Sequence, residues 1–172
     1  MGVSGCGKST IAELIALQLD AYFLDADDLH PPRNKRLMSD GIQLTDDDRT
    51  PWLAIVRDHA KKRAENQICV VACSALKRRY RELLNQAGEV CYVFLDGPKA
   101  LIQDRIHART GHFMPESLLD SQLEALEPPI NEDRVVAIEI TSSPTQIAQD
   151  AINALTNAKL IEPAQVLKSP GS

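Results

Sequence analysis

Short, almost continuously apolar runs alternate along the chain with longer segments whose apolar residues recur at helical spacing. The short runs are typical of strands buried on both faces of a sheet, and we predict them at residues 21–25, 68–73, 90–95 and 135–140. Helices are predicted at 11–19, twice within about 33–67, and at about 76–86, 98–109, 116–127 and 143–157. This alternation indicates an α/β fold with a mainly parallel sheet, and we expect residues 1–161 to form one domain.

Polar residues and prolines set several of these boundaries. Thr45 or Asp46 is expected to cap the second helix of the 33–67 segment, with Pro51 in its first turn. Ser143 is expected to cap the closing helix. The tail, residues 162–172, contains two prolines and a glycine, and we expect it to be disordered.

Composition narrows the classes of protein to be considered. A chain of 172 residues with 44% hydrophobic content suits one domain with a sizeable core. The net charge of −5 argues against nucleic-acid and anionic-membrane partners, and no apolar run approaches the roughly 20 residues of a membrane span. The four cysteines lack C-x-x-C spacing, so we expect reduced thiols in a cytoplasmic protein and no zinc site: Cys6, Cys69, Cys73 and Cys91.

Residues 2–10 match the Walker A pattern, G-x-x-x-x-G-K-[ST], immediately before an apolar helix. Glycines allow consecutive N–H groups to turn towards a phosphate, and the helix adds its positive end. Lys8 is expected to reach the β- and γ-phosphates, and the Ser9 hydroxyl to hold Mg²⁺. The expected nucleotide-binding residues are Gly2, Val3, Ser4, Gly5, Cys6, Gly7, Lys8, Ser9 and Thr10. The alternative is a glycine-rich turn capped by Ser9 or Thr10.

An acidic turn follows the first predicted strand. Asp25 and Asp27 are two residues apart at the strand end, beside the phosphate loop. One of the two carboxylates can order Mg²⁺ through water, while the other accepts a proton from an attacking hydroxyl; Asp25 is the metal candidate if Asp27 is the base. The alternative is a solvated turn that caps a helix, and for Asp28 we weigh the two interpretations equally.

Arg105 and Arg109 are four residues apart on one predicted helix face, ahead of a Gly-His-Phe-Met-Pro turn. We expect this region, about 105–127, to act as a mobile lid whose arginines stabilise charge on the transferred phosphoryl group. The alternative is a pair of surface arginines neutralised by Asp104 or Glu116.

A third group of polar residues begins where the 68–73 strand ends. Ser74 and Lys77 are expected to straddle a helix N-terminus, where polar or anionic groups bind well, with Arg81 further along the same basic helix. Arg49, within an acidic loop, either binds a carboxylate or neutralises its neighbours.

Over about residues 1–157 the chain resembles the bacterial and eukaryotic gluconokinases, a family of P-loop small-molecule kinases. The matching stretches are 1–5, 7–9, 25–31, 44–49, 51–53, 72–77, 80–81, 111–114 and 126–129. The resemblance implies ATP- and Mg²⁺-dependent phosphorylation of D-gluconate at its 6-hydroxyl. It also implies a nucleoside-monophosphate-kinase-like fold, with substrate-binding helices at about 31–67, and a possible homodimer.

The resemblance suggests roles for individual residues. Asp27 is our choice of base, and Lys8, Arg105 and Arg109 are expected to act on the phosphates. Candidates for the gluconate carboxylate are Arg49, Lys77 and Arg81, and candidates for its hydroxyls are His30 and Ser74. The alternatives are a related kinase acting on shikimate or a nucleoside monophosphate, and a nucleotide-binding protein without activity.

Two features depart from the family pattern. Cys6 stands where the family usually has Ser, and we expect this to be tolerated because the loop works through backbone N–H groups. The motif begins at residue 2, so we expect the first, central strand to be missing, with the start of the chain placed one strand too late. About four lost apolar side chains at 1.5–3 kcal/mol each amount to about 6–12 kcal/mol, comparable to a domain's whole stability.

Overall fold

The computed structural model describes residues 1–108 and 116–162. In this part of the chain the strands are β1 (Tyr22–Asp25), β2 (Cys69–Ala72), β3 (Tyr92–Asp96) and β4 (Val135–Glu139). The α-helices are α1 (Lys8–Gln18), α2 (Pro32–Ser39), α3 (Asp46–Ala64), α4 (Arg78–Leu84), α5 (Lys99–His107), α6 (Glu116–Ala125) and α7 (Pro144–Asn157). Short 3₁₀ helices occupy Ala26–Leu29 and Asn85–Ala87. The predicted alternation of strand and helix is confirmed.

The four strands form two parallel pairs. In the first, Tyr22 to Asp25 of β1 lie opposite Cys69 to Ala72 of β2. In the second, Tyr92 to Asp96 of β3 lie opposite Val135 to Glu139 of β4. Parallel pairing places the carboxyl ends of β1 and β2 at one edge, where the acidic turn begins.

A gap separates β2 from β3, with a cavity of about 560 Å³ whose lining includes the side chains of both strands. The Met1 amine donates to the Val93 carbonyl at 2.5 Å, and the Leu95 N–H donates to the Met1 carbonyl at 2.9 Å. Bonds to the residues on either side of Phe94 are the parallel ladder pattern. On the other side, the Gly2 N–H donates to the Ser74 carbonyl at 3.2 Å. Among the described residues no strand lies between β2 and β3, and Met1 and Gly2 bond to both neighbours of this gap.

Two apolar clusters form the core. The larger packs α1, α5 and α7 around the β3–β4 pair, with Ile15, Leu95, Ile138 and Ile152 among its buried residues. The smaller lies under α3, where Trp52, Leu53 and Val56 pack with residues of α4 and the 3₁₀ helix after β1. The first half of α3 is therefore anchored beside the acidic turn.

The predicted Thr45 cap is confirmed, while the predicted place of Pro51 and the predicted start of the basic helix are wrong. The Thr45 hydroxyl and the Asp48 carboxylate form a capping box that starts α3 at Asp46, so Pro51 lies inside the helix rather than in its first turn. The basic helix expected from Leu76 begins at Arg78, because Ala75 has a φ of +46° and Lys77 is extended. Lys77 therefore takes the N-cap position of α4, and Ser74 lies outside that terminus.

Among the helices at residues 1–108 and 116–162, none combines the length and apolar character that a membrane crossing requires.

Candidate active site

The loop between Met1 and α1 holds the glycine-rich motif. Gly5 and Gly7 have φ values of +83° and +98°, in the left-handed region that favours glycine. Gly7 directly precedes Lys8, the first residue of α1. The N–H groups of the first helical turn, which have no partner within the helix, therefore lie at the end of the loop. The Lys8 ammonium donates to the Val3 carbonyl at 3.0 Å and so lies across the loop. This is the arrangement that a phosphate cradle requires.

The loop is held in shape by its neighbours. A Cβ on Gly2 would lie 2.9 Å from the Leu95 carbonyl, and one on Gly5 would lie 2.7 Å from Ile106 of α5. From α6, the Gln122 side chain accepts a hydrogen bond from the Ser4 N–H at 2.8 Å. The loop is therefore seated against β3, α5 and α6, and side chains at these glycines would displace it.

Arg105, which we predicted would act on the phosphates, lies beside this loop. Its guanidinium donates to the Ile140 carbonyl at 2.7 Å and, at 3.4 Å, to the carbonyl of Cys6. In these contacts Arg105 braces the loop from α5. Its predicted partner Arg109 lies outside the described residues, as do residues 110–115 of the predicted lid.

Ser9 and Asp25 meet at the edge of the loop. The Ser9 hydroxyl donates to the Asp25 carboxylate at 2.6 Å, and the other carboxylate oxygen accepts the Asp27 N–H at 3.0 Å. The residues at 1–108 and 116–162 contain no cluster of three or more His, Cys, Asp or Glu side chains suited to a metal. A hydroxyl beside one carboxylate fits Mg²⁺ that arrives with phosphates, since Mg²⁺ is usually bound by one or two carboxylates together with substrate oxygens.

Asp27 lies on the 3₁₀ helix that Asp25 caps, with its side chain 72% exposed. Partial loss of hydration raises the pKa of Asp27, and Asp25 and Asp28 add to this effect, while Lys8 and Arg49 oppose it. Asp27 therefore lies between Asp25, which bonds to Ser9 of α1, and His30, which stacks on Trp52 of α3.

His30 lies under Asp27, with Nε2 3.8 Å from the Asp27 carboxylate and its side chain 3% exposed. Its ring stacks on Trp52 at a centroid distance of 3.9 Å, and the Trp52 indole donates to the Ala26 carbonyl at 2.7 Å. Burial, reinforced by Arg49 and Lys35, lowers the pKa of His30 to about 4. The imidazole is therefore neutral at physiological pH, and its buried Nδ1 has no hydrogen-bond partner among the described residues.

This neutral histidine makes stability depend on pH. The pKa of His30 is about 4 in the folded state and 6.5 for a histidine in an unfolded chain, so only the unfolded chain gains this proton between those values. The contribution of His30 to stability is then present in full well above pH 6.5 and falls by about 2 kcal/mol between pH 7 and 5. Urea unfolding at both pH values should show this loss in the exposed-site control His59→Gln and a smaller loss in His30→Gln. Equal losses in the two variants would contradict the buried neutral state.

Arg49, Lys77 and Tyr80 line a cavity of about 320 Å³ beside the N-terminus of α3. The Arg49 Nε donates to the Leu44 carbonyl at 3.3 Å. Its Nη groups make no hydrogen bond with any residue that the structure describes. Lys77 donates to both carboxylate oxygens of Asp46, at 3.0 and 3.2 Å. Ser74 is half-buried and lies next to Gly2, through the bond to its carbonyl.

The structure does not support a substrate-binding role for Arg81. Its side chain is 1% exposed, and all five N–H groups are taken by the Glu132 carboxylate and by three backbone carbonyls. These carbonyls belong to Ala75, Leu76 and Glu127. Arg81 therefore ties the turn before α4 to the segment after α6, and its guanidinium has no donor left for a ligand.

We expect Arg81→Met to destabilise the fold by about 3–5 kcal/mol, because it leaves Glu132 and the buried carbonyls without their donor. Arg78→Met is the matched control, since the Arg78 side chain is 69% exposed and its ion pair among the described residues is with Glu82, one turn later in α4. The control should change stability by less than about 1 kcal/mol. Urea unfolding of the two variants measures the difference in their stability. Equal stability would refute the structural role of Arg81.

Sequence reasoning missed Trp52 and the network around Asp46. Trp52 is the single tryptophan of the chain and supports His30 from α3. The sequence signal that could have identified Trp52 is its position on the apolar face of a helix that follows the acidic turn. Asp46 was considered only as a helix cap, and no local pattern indicates its contacts with Lys77 and Tyr80, which lie 31 and 34 residues away in the chain.

The phosphate loop, the Ser9–Asp25 pair and the neighbouring Asp27, on parallel strands flanked by helices, define a P-loop kinase. A family model described as an AAA domain matches residues 1–129.

Relatives that match most of the chain identify the family within this class of kinases. The chain is 41% identical over 158 residues to the thermosensitive gluconokinase of Escherichia coli K12, covering 90% of this chain and 84% of that protein. It is 42% identical over 154 residues to a gluconokinase of Gluconobacter oxydans 621H, covering 88% and 86%. The crystal structure of a gluconokinase from Sinorhizobium meliloti 1021 superposes with a TM-score of 0.84 at 46% identity, covering 91% and 89%. The chain belongs to the gluconokinase family.

Proposed function

We propose that this protein transfers the γ-phosphoryl group of ATP to the 6-hydroxyl of D-gluconate, giving 6-phospho-D-gluconate and ADP. The observation that carries the proposal is the adjacency of the phosphate loop and the acidic turn. Ser9 bonds to Asp25 at 2.6 Å, and Lys8 acts electrostatically on Asp27. The carboxylate of Asp27 is thus close to where the loop would hold the outermost phosphate.

The loop residues 2–10 would hold the triphosphate through backbone N–H groups, with Lys8 moving from the Val3 carbonyl onto the phosphates. Ser9 and Asp25 supply the oxygen atoms suited to Mg²⁺. When bound, Mg²⁺ neutralises charge on the phosphate oxygens. All other parts of the mechanism fall to side chains of the chain itself.

In the transfer step, Asp27 accepts the proton of the gluconate 6-hydroxyl as its oxygen attacks the γ-phosphorus. The new phosphorus–oxygen bond forms as the bond to the β–γ bridging oxygen breaks, and ADP leaves with that oxygen. Lys8 offsets the charge that develops on the phosphates, and Arg105 and Arg109 are proposed to add to this. Phosphoryl transfer depends mainly on position and charge, so one carboxylate is sufficient as base.

The substrate carboxylate is proposed to bind in the 320 Å³ cavity beside the N-terminus of α3. Arg49 is the best candidate, because its Nη groups make no hydrogen bond with the described residues and because it acts on both Asp27 and His30. Lys77 lines the same cavity, although it is already paired with Asp46. His30 and Ser74 remain candidates for the hydroxyls. Arg81 is excluded, because its guanidinium is buried and fully bonded.

The decisive assay measures ADP release with ATP, Mg²⁺ and a panel of acceptors. We expect release with D-gluconate, and much less with shikimate or a nucleoside monophosphate. Arg49→Gln should raise the KM for gluconate by about 10–100-fold with a smaller change in kcat, as expected for lost charge-assisted bonds. Nucleotide binding without gluconate-dependent release would contradict the proposal and favour a non-catalytic protein.

Three broader proposals accompany this function. Residues 1–161 act as one kinase domain, with substrate-binding helices at about 31–67 and a lid at about 105–127. The protein works in the cytoplasm, where ATP is available, and forms a homodimer as gluconokinases commonly do. Its partners are small molecules rather than nucleic acid or membrane, in keeping with the net charge of −5.

A further inference from the structure

Asp46 is the centre of a small polar network at the mouth of the 320 Å³ cavity. As the first residue of α3, it accepts hydrogen bonds from Lys77, at 3.0 and 3.2 Å, and from the Tyr80 hydroxyl. It also forms an ion pair with Arg79. We call these four residues the Asp46 cluster. Asp46 and Lys77 are 36% and 26% exposed, so their interaction is only partly screened by water.

The cluster changes the balance of charge that faces a ligand in this cavity. Lys77 and Arg49 both line it, but the Asp46 carboxylate holds the ammonium of Lys77 through both of its oxygens. Arg49 has no such counter-ion among the described residues. An anionic ligand therefore meets one available cation, Arg49, and one whose charge is partly offset, because Asp46 shares its single negative charge between Lys77 and Arg79.

We propose that Asp46 is an internal counter-ion that competes with the substrate's carboxylate for Lys77 and thereby weakens the binding of the anionic substrate. This inference rests on the proposed function, because it takes the carboxylate of a sugar acid to bind in the cavity beside Arg49. Asp46 accordingly sets how strongly the site prefers an acid over a neutral polyol of the same length. It lies at the opposite end of the substrate from the reacting hydroxyl, so its effect falls on binding rather than on the transfer step.

Asp46→Asn tests the proposal, since asparagine keeps the size of the side chain and an acceptor for Tyr80 while releasing the charge of Lys77. We expect the KM for gluconate to fall about tenfold, the effect of one unit charge a few ångströms away in a partly hydrated site. The inhibition constant of D-glucitol, a neutral polyol of the same length, should change less than twofold. Asp47→Asn is the matched control. Asp47 is exposed in the same helical turn, and its substitution removes the same formal charge.

A second comparison holds even if Asp46→Asn folds poorly. Lys77→Gln removes one of the two cations that pair with Asp46 and leaves Arg79 as the other, and we expect the KM for gluconate to rise. Adding Asp46→Asn to Lys77→Gln removes the repelling charge and should lower that KM about tenfold. If the double variant matches Lys77→Gln, or if Asp46→Asn raises KM or shifts gluconate and D-glucitol together, Asp46 is not a competing anion. These outcomes presuppose gluconate turnover by the unmodified protein, so its failure to turn over gluconate is the separate result that refutes the function itself.

Discussion

Asp27→Asn is expected to lower kcat for gluconate phosphorylation by about 10²–10⁴-fold, the contribution of a positioned general base. Asparagine keeps the size of the side chain and the backbone bond from the Asp27 N–H to Asp25, but it cannot take the proton of the hydroxyl. ATP affinity should change less than about threefold, because the phosphates are held by the loop and Lys8. Coupled ADP-release kinetics and nucleotide titration measure the two quantities.

Asp28→Asn is the control for this variant. Asp28 lies next in the same 3₁₀ helix and is exposed, and its backbone carbonyl accepts a hydrogen bond from Lys35 at 3.1 Å. The control removes the same formal charge from the acidic turn and should retain most of the activity. If Asp27→Asn turned over gluconate as fast as this control, Asp27 would have no part in proton transfer.

A short apolar extension ahead of Met1 is expected to raise stability more than any single substitution. Five residues such as Val-Ile-Val-Val-Leu would match the lengths of β2 and β3, which have four and five residues, and would continue the ladder that Met1 begins with Val93 and Leu95. Burying about four apolar side chains in the 560 Å³ cavity is worth at most about 6–12 kcal/mol before ordering costs. We expect the melting temperature to rise by about 10 °C, because the cost of ordering the five added residues offsets part of this gain.

The extension should also remove a source of pH dependence. Burial lowers the pKa of the Met1 amine to about 6 from 8.0, so stability falls as the pH drops from 8 towards 6. A peptide N–H in its place does not titrate. A five-residue Gly-Ser extension is the matched control, because it also replaces the amine but offers no apolar side chains. Equal melting temperatures for the two extensions would mean that the gap between β2 and β3 does not accept a strand.

Sequence reasoning predicted the parts of the fold that depend on local patterns of residues. The apolar runs identified β1 to β4, and the glycines with Lys8 and Ser9 identified the phosphate loop. The carboxyl ends of parallel strands share one edge, so the meeting of Ser9 and Asp25 followed from the class of fold.

What could not be predicted depends on contacts between residues distant in the chain. In the sequence Arg81 is one of several basic residues in a run that is typical of an exposed helix. Only the fold brings Glu132, 51 residues later in the chain, against it. The Thr45 cap of α3 was predicted, but the place of Pro51 beyond the first turn was not, because the capping box with Asp48 starts the helix at Asp46. The depressed pKa of His30 likewise follows from packing against Trp52, which the local sequence does not encode.

The most direct test of the account is a crystal structure with a non-hydrolysable ATP analogue, Mg²⁺ and D-gluconate bound together. It should place the 6-hydroxyl oxygen within hydrogen-bond distance of the Asp27 carboxylate, in line with the γ-phosphorus, with the gluconate carboxylate on Arg49. Gluconate bound in the opposite direction, or in a cavity separate from the phosphate loop, would contradict the proposed reaction.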